Sequence, residues 1–243
     1  MKRILAAALL CAVSSFAAWD KFPVIEDGKG EAKIAASQSR QGHHGDGPHL
    51  NFLGIRYSPM ANLELMSTVG YTFGVRYQII PVLSAGMDIG FPIPSPAWSV
   101  TPNAQFSMPL TDALAFGSNV ELTINTENKA TGETDYMNLS AGFELDFTIG
   151  QSTIWVGFDL GTGLGEKEEE QDSIDPATNQ PIKVKVTKKA ADDGHGTKLS
   201  PAVGYIATVG NLSLGTSVTF DLGEKSGNDP VNTTVGLDVS VKF

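Results

Sequence analysis

The chain has 243 residues, of which 41% are apolar and 18% are charged, with 26 Gly, 13 Pro and a single Cys. The length suits one or two domains, and the glycine content favours a turn-rich β protein over a helical one. The formal net charge of -10 disfavours nucleic acid as a partner, and one Cys excludes a disulfide framework and any multi-cysteine zinc or iron–sulfur site.

The first seventeen residues have the pattern of a secretory signal peptide. Lys2 and Arg3 precede an apolar run over residues 4–13, and Ser15 and Ala17 are small residues before a cleavage site after Ala17. The run is shorter than the roughly 20 residues that a membrane-spanning helix needs. We therefore expect a cleaved signal peptide over 1–17, an N-terminal periplasmic segment over 18–31 and one domain over 32–243.

Beyond residue 31 the sequence alternates between apolar and polar positions. In the last segment the odd positions from Val231 to Phe243 are apolar or threonine, while the even positions are small or polar. A period of two predicts strands with one apolar and one polar face, and no segment shows a convincing period of 3.6. The pattern predicts about twelve strands, with ten as the alternative, over residues 32–38, 49–57, 62–68, 71–78, 83–91, 97–107, 113–124, 136–147, 153–163, 198–208, 212–222 and 231–243.

The predicted connections differ in length according to their position in the chain. Short links follow the even-numbered strands, at 58–61, 79–82, 108–112, 148–152 and 209–211, whereas the other links are longer and polar except near residues 69–70. Short turns at one rim and long loops at the other are typical of outer-membrane barrels. We therefore predict an all-β protein, a closed antiparallel transmembrane β-barrel with short periplasmic turns. A secreted β-sandwich, soluble without detergent, is the alternative.

The sequence resembles bacterial outer-membrane β-barrels along its whole predicted domain. The terminal Phe243 resembles their C-terminal assembly signal, which implies the barrel assembly machinery as a partner. Gly54-Ile55-Arg56-Tyr57 and Gly74-Val75-Arg76-Tyr77, with Leu63-Glu64-Leu65 between them, resemble the transporter barrels of the meta-pathway aromatic-degradation family over residues 50–91. The resemblance implies transport across the outer membrane of a Gram-negative bacterium.

The two faces of the predicted barrel have different surroundings. Backbone groups in lipid must be satisfied internally, so the sheet must close and its apolar face must contact outer-membrane lipid. Aromatic residues near strand ends are expected in the two girdles at the membrane interfaces; these are Tyr57, Tyr71, Tyr77, Trp98 and Tyr136.

The polar face carries the residues that we expect to control passage of small solutes. They are Arg56, Glu64, Arg76, Asp88, Glu121, Glu144, Asp146, Asp159, Asp221, Asp238 and Lys242. Because acids exceed bases, the lumen is expected to prefer cations or neutral solutes. Inward glycines are expected to leave the lumen open. In the alternative the acids pair with Arg56, Arg76 and Lys242 and plug a non-transporting structural or adhesin-type barrel.

Three loop features could carry chemistry. His43, His44 and His49 are ligand types suited to zinc, copper or nickel, and His195 could join them. The loop over 164–197 has an acidic first half and an alternating, lysine-rich second half, which predicts a hairpin acting as a gate, a receptor surface or a solvated excursion. Calcium binding by 168–172 lacks the EF-hand spacing.

No enzymatic activity and no cofactor are expected from this sequence. Three of the four histidines lie outside the predicted strands and His49 is only the first residue of one, so a Ser–His pair has no place within the barrel wall. Glu144 and Asp146 could imitate a glycosidase pair, but they are more simply explained as lumen carboxylates. The transported solute and the oligomeric state are not indicated by the sequence.

Overall fold

The alternating segments form fifteen strands in the computed structural model of the protein. The structure describes residue 21 and residues 26–41, 44–45, 47–68, 72–91, 98–126, 137–174, 180–190, 196–222 and 231–243. The strands are β1 (Gly30–Gln41), β2 (His44–Gly45), β3 (His49–Met60), β4 (Leu63–Thr68), β5 (Thr72–Ile80), β6 (Leu83–Gly90), β7 (Ser99–Pro109), β8 (Leu114–Asn125), β9 (Met137–Ile149), β10 (Ser152–Leu164), β11 (Glu166–Ile174), β12 (Pro181–Lys189), β13 (Lys198–Val209), β14 (Leu212–Asp221) and β15 (Asn232–Lys242).

Twelve of these strands form one closed antiparallel barrel, which confirms the predicted fold and the count of twelve rather than ten. Each barrel strand pairs with the next along the chain, and β15 returns to pair with β1 from Glu31 opposite Lys242 to Gln41 opposite Asn232. The seam between the two ends is completed by backbone hydrogen bonds in both directions between Gly30 and Phe243 (2.8 and 2.9 Å). Closure leaves none of the twelve barrel strands, as far as the structure describes them, with an unpaired edge, as a lipid environment requires.

The three remaining strands lie in connections. The two-residue β2 pairs with the end of β1, and β11 pairs with β12 in a separate hairpin. Since β10 pairs directly with β13, this hairpin interrupts the sequence and not the barrel. The predicted hairpin within 164–197 is thereby confirmed.

Tight turns join the strands at one rim. They include Ala61–Asn62, Gly150–Gln151 and Gly210–Asn211, in which Asn62, Gly150 and Gly210 have positive φ. At this same rim β1 begins at Gly30, earlier than the predicted start at residue 32. Its first residues are therefore part of the barrel wall and not of the predicted N-terminal segment.

Polarity is inverted relative to a water-soluble protein. Among the described residues more than forty large apolar side chains are exposed, most of them at the outward positions of the strands. The buried side chains are mostly Glu, Lys, Arg, Asn, Gln and Ser. Water disfavours such an apolar exterior, and the hydrocarbon of a bilayer accepts it. Within the described part of the chain, no helix is long and apolar enough to cross a membrane.

Aromatic residues on the outer face follow the expected pattern. Tyr57, Tyr77 and Trp98 are exposed near strand ends, as predicted for the girdles, while Tyr71 and Tyr136 lie outside the described residues. Across the neighbouring strands β7 to β10, consecutive phenylalanine rings contact one another with centroids 6.2, 6.3 and 5.0 Å apart. Cross-strand contacts of this kind stabilise the pairing of adjacent strands.

A charge on this outer face is expected to destabilise the barrel. Val156 is 50% exposed on β10, and Val156→Arg should lower the free energy of unfolding in lipid vesicles by about 2–4 kcal/mol because the guanidinium enters hydrocarbon. The matched control is Val186→Arg in the β12 arm of the hairpin. Equal urea midpoints for the two variants would contradict a lipid-facing position for Val156.

Candidate functional site in the barrel interior

The structure places every proposed selectivity residue on the inner face of the barrel. Their burial varies. Arg76, Glu64 and Glu144 are at most 2% exposed, while Lys242 is exposed at the end of β15. The placement agrees with the alternation in the sequence, whereas the part that these residues take in selectivity stays a prediction. Phe243, the predicted assembly signal, lies at the seam.

A ladder of alternating charges runs around one side of the interior, from β1 to β6. Glu31 Oε2 accepts hydrogen bonds from Arg56 Nε (3.0 Å) and Nη2 (2.6 Å), and Arg56 Nη1 lies 3.5 Å from Glu64 Oε2. On the other side of Glu64, Arg76 Nη1 lies 3.5 Å from Oε1, and Arg76 Nη2 lies 3.7 Å from Asp88 Oδ2. Each arginine thus lies between two carboxylates. We call these five residues the ion-pair ladder.

Polar contacts extend the ladder in both directions around the barrel. Asn103 Nδ2 donates to Asp88 Oδ2 (2.9 Å), and Lys33 Nζ lies 3.5 Å from Asp238 Oδ2 across the seam. On the neighbouring strands Ser84 Oγ donates to Gln105 Oε1 (3.1 Å). The part of the predicted plugged-lumen alternative that pairs Arg56 and Arg76 with acids is therefore found in the structure. This side of the interior is filled by paired charges and polar groups, and Asn103 Oδ1 is buried there without a hydrogen-bond partner among the described residues.

The opposite side of the interior, on β8 to β10, is acidic. Glu144 and Asp146 point inward from β9 and Asp159 from β10, where Glu144 is only 2% exposed. Asn119 donates from Nδ2 to Glu121 Oε1 (3.0 Å) on β8. Glu144 Oε2, Asp146 Oδ1 and Asn119 Oδ1 are buried without a hydrogen-bond partner among the described residues. This acidic wall therefore has three buried acceptor oxygens that no hydrogen bond among the described residues uses.

One cation from the N-terminal segment reaches the acidic wall. Lys21 is 2% exposed, and its Nζ lies 2.8 Å from Asp159 Oδ1. We expected residues 18–31 to lie in the periplasm, so the position of Lys21 inside the barrel corrects this expectation for that residue. The physical reason is charge: the acidic wall supplies an anionic partner for a buried ammonium. The signal peptide over 1–17 lies outside the described residues and stays a prediction.

The inward glycines do not leave open space, contrary to our expectation. Larger side chains from neighbouring strands lie over them, so that a Cβ added at Gly204 would collide with the Trp155 indole and one at Gly142 with Lys21, Asn119 and Asp159. The same holds for Gly74 under Asp88, Gly86 under Arg76 and Gly215 under Asp238. In all five cases the glycine lies opposite a large residue in the strand register. These glycines let long side chains lie along the wall.

Sequence reasoning missed several interior residues. Glu31 and Lys33 lie on β1, where Ile34 is the one large apolar residue between small ones, so the alternation there is weak. Trp155 is 7% exposed inside the barrel although tryptophan normally belongs to the outer girdles. Its position in the alternation with Thr153 and Gly157 was the available signal.

The loop predictions are only partly within the described residues. His43 and His195 are outside them. His44 and His49 lie in strands β2 and β3 and not in a loop, which corrects the prediction for these two residues, and the structure describes no positions for their side chains. Among the described residues no three His, Cys, Asp or Glu side chains form a set suited to a metal ion. In the hairpin, Glu166 and Lys189 face each other as an exposed pair 4.0 Å apart, in agreement with acidic and basic arms that pair.

The sequence of the chain is similar to that of a known protein family. A family model described as "Putative MetA-pathway of phenol degradation" matches residues 71–229, more than half of the chain. The chain belongs to this family. The match begins within the range 50–91 that carried the resemblance in sequence and continues through β14. No sequence among the curated proteins matches the chain.

Solved structures share the fold of this family member. The COG4313 outer membrane channel from Pseudomonas putida F1 is 11% identical with a TM-score of 0.58, and the match covers 91% of this chain and 98% of that channel. The NanC porin is 11% identical with a TM-score of 0.55 and coverages of 87% and 100%. At this identity the likeness extends to the barrel architecture and not to individual interior residues.

Proposed function

We propose that the protein is an outer-membrane barrel through which small solutes pass passively, with a preference for cations or neutral molecules. The observation that carries this proposal is the charge of the interior. On the ladder side each arginine lies between two carboxylates, while the acidic wall carries Glu144, Asp146 and Asp159 against the one ammonium that the described residues place on Asp159. An acidic path of this kind lowers the energy of a cation and raises that of an anion. The outer-membrane channel and the porin that share the fold support transport, and the family description makes phenol-like compounds reasonable neutral solutes to test.

The test is the reversal potential of the purified barrel in a planar bilayer under a KCl gradient. We expect discrete openings with K⁺ preferred over Cl⁻, and Glu144→Gln combined with Asp146→Asn should reduce this preference several-fold because the interior loses two carboxylates. The matched control removes the same two charges outside the barrel, at the exposed Glu26 and Asp27. Chloride preference in the wild type, or equal selectivity in both double variants, would contradict the proposal.

A second function is favoured by the ladder and by Lys21. Because both fill the interior, the barrel could serve as a closed structural or adhesin-type protein of the outer membrane. A barrel that shows heat-modifiable migration on a gel but no conductance, and no swelling of vesicles in phenol or small sugars, would establish this second function.

A further inference from the structure

The position of Lys21 on the acidic wall has the features of a binding site for a cation. Three groups converge where a Cβ of Gly142 would lie, namely Lys21 Cε, Asn119 Oδ1 and Asp159 Oδ1. Since Gly142 has no side chain, the alkyl stem next to the ammonium lies directly against the strand. We call the surroundings of this point, formed by Asn119, Gly142, Glu144 and Asp159, the ammonium cradle.

The ammonium cradle has more hydrogen-bond acceptors than Lys21 uses. Lys21 Nζ is paired with Asp159 Oδ1 at 2.8 Å. Asn119 and Glu144 are 8% and 2% exposed, and their Oδ1 and Oε2 atoms have no hydrogen-bond partner among the described residues. A primary ammonium has three donors and no acceptor. One of these donors is used on Asp159, and Asn119 Oδ1 and Glu144 Oε2 are two further acceptors on the same wall that are not hydrogen-bonded to Lys21.

We infer that the ammonium cradle is a binding site for the primary ammonium group of a solute, and that Lys21 occupies it when no solute is bound. The inference adds a substrate class to the proposed function and rests on it only in requiring that a solute enter the barrel. Lys21 acts as a tethered competitor. A solute with an unbranched alkyl chain ending in an ammonium would repeat the contacts of the lysine side chain.

The experiment is calorimetric titration of the detergent-solubilised barrel with n-butylammonium chloride, which has the four carbons and the ammonium of a lysine side chain. Lys21→Ala should bind one n-butylammonium per barrel, and the wild type should bind it about tenfold more weakly because a tethered group competes at an effective concentration in the millimolar range. Adding Asp159→Asn to Lys21→Ala should abolish the binding. Lys29→Ala, which removes an exposed lysine of the same segment, should behave as the wild type.

Tetramethylammonium chloride is the second probe, because it carries the same charge without N–H donors. Equal heats for the two probes on Lys21→Ala would overturn the inference, since attraction to the acidic wall in general would then explain both. Equal affinity in Lys21→Ala and the wild type, or in Lys21→Ala with and without Asp159→Asn, would also overturn it. Lys21→Gln retains most of the stem and is the second variant should Lys21→Ala fail to show heat-modifiable migration.

Conductance measured on the same preparations separates this inference from the proposed function. Binding of n-butylammonium without conductance would support the cradle and reject the pore. Conductance without binding would support the pore and reject the cradle.

Discussion

Replacing Arg56 by Met is expected to lower the free energy of unfolding by about 3–5 kcal/mol, because removing one partner leaves buried charges uncompensated. Arg56 is 8% exposed and donates two hydrogen bonds to Glu31, with a further contact to Glu64. Without the guanidinium, Glu31 loses its strongest partner in a region that water hardly reaches. The measurement is urea unfolding in lipid vesicles, followed by heat-modifiable migration and circular dichroism.

Two controls isolate the effect of burial. Lys189→Met removes a cation from the exposed pair with Glu166 in the hairpin and should change the free energy of unfolding by about 0–1 kcal/mol. Arg56→Met combined with Glu31→Gln should recover about 1–3 kcal/mol relative to Arg56→Met alone, since the uncompensated carboxylate is then absent. If Arg56→Met and Lys189→Met unfold at the same urea concentration, the ion-pair ladder does not stabilise the barrel.

Replacing Lys21 by Met should have the largest effect on ion passage. At an effective dielectric constant of about 20, a charge at about 4 Å changes the energy of another by roughly 4 kcal/mol, and nearby Asp159 cancels part of this. Loss of the ammonium leaves the acidic wall without the one cation that the described residues place on Asp159. We therefore expect the K⁺ conductance to rise about tenfold and the reversal potential to shift further toward K⁺.

Single-channel recording in symmetrical and asymmetrical KCl measures both quantities. Lys29→Met is the matched control, because Lys29 is exposed in the turn that precedes β1 and should alter the conductance less than twofold. A Lys21→Met barrel with the conductance and selectivity of the wild type would show that Lys21 does not control the path.

The sequence alone predicts the strands of the barrel and the face on which each residue lies. It does not predict which side chains contact one another in the interior. Period-two alternation predicts which residues face inward, so Arg56, Glu64 and Arg76 were placed correctly from two similar segments alone. The pairing of Lys21 with Asp159 could not be predicted in this way, because it joins residues far apart in the chain and has no periodicity. Weak alternation on β1 likewise concealed Glu31, which is the strongest partner of Arg56.

The glycines illustrate why open space at the inward glycines was the wrong expectation. A glycine on the inner face has no side chain to fill the space above it. The sequence alone does not show which residue of the neighbouring strand lies opposite the glycine and fills that space. In the barrel, Gly142 lies opposite Asp159 and Gly204 opposite Trp155, so the space belongs to the neighbouring strand. The number of inward glycines therefore predicts long side chains along the wall and not a wide channel.

Each such glycine and its partner also form a pair that can be exchanged. Gly142→Asp combined with Asp159→Gly would retain one Asp and one Gly at these paired positions. The exchange would move one carboxylate by one strand, about 4.8 Å around the circumference. The same transposition is available at Gly74 with Asp88 and at Gly215 with Asp238. Exchanging the two residues of such a pair would move a charge from one strand to the next around the barrel. The lipid-facing residues and the volume of the interior would remain constant.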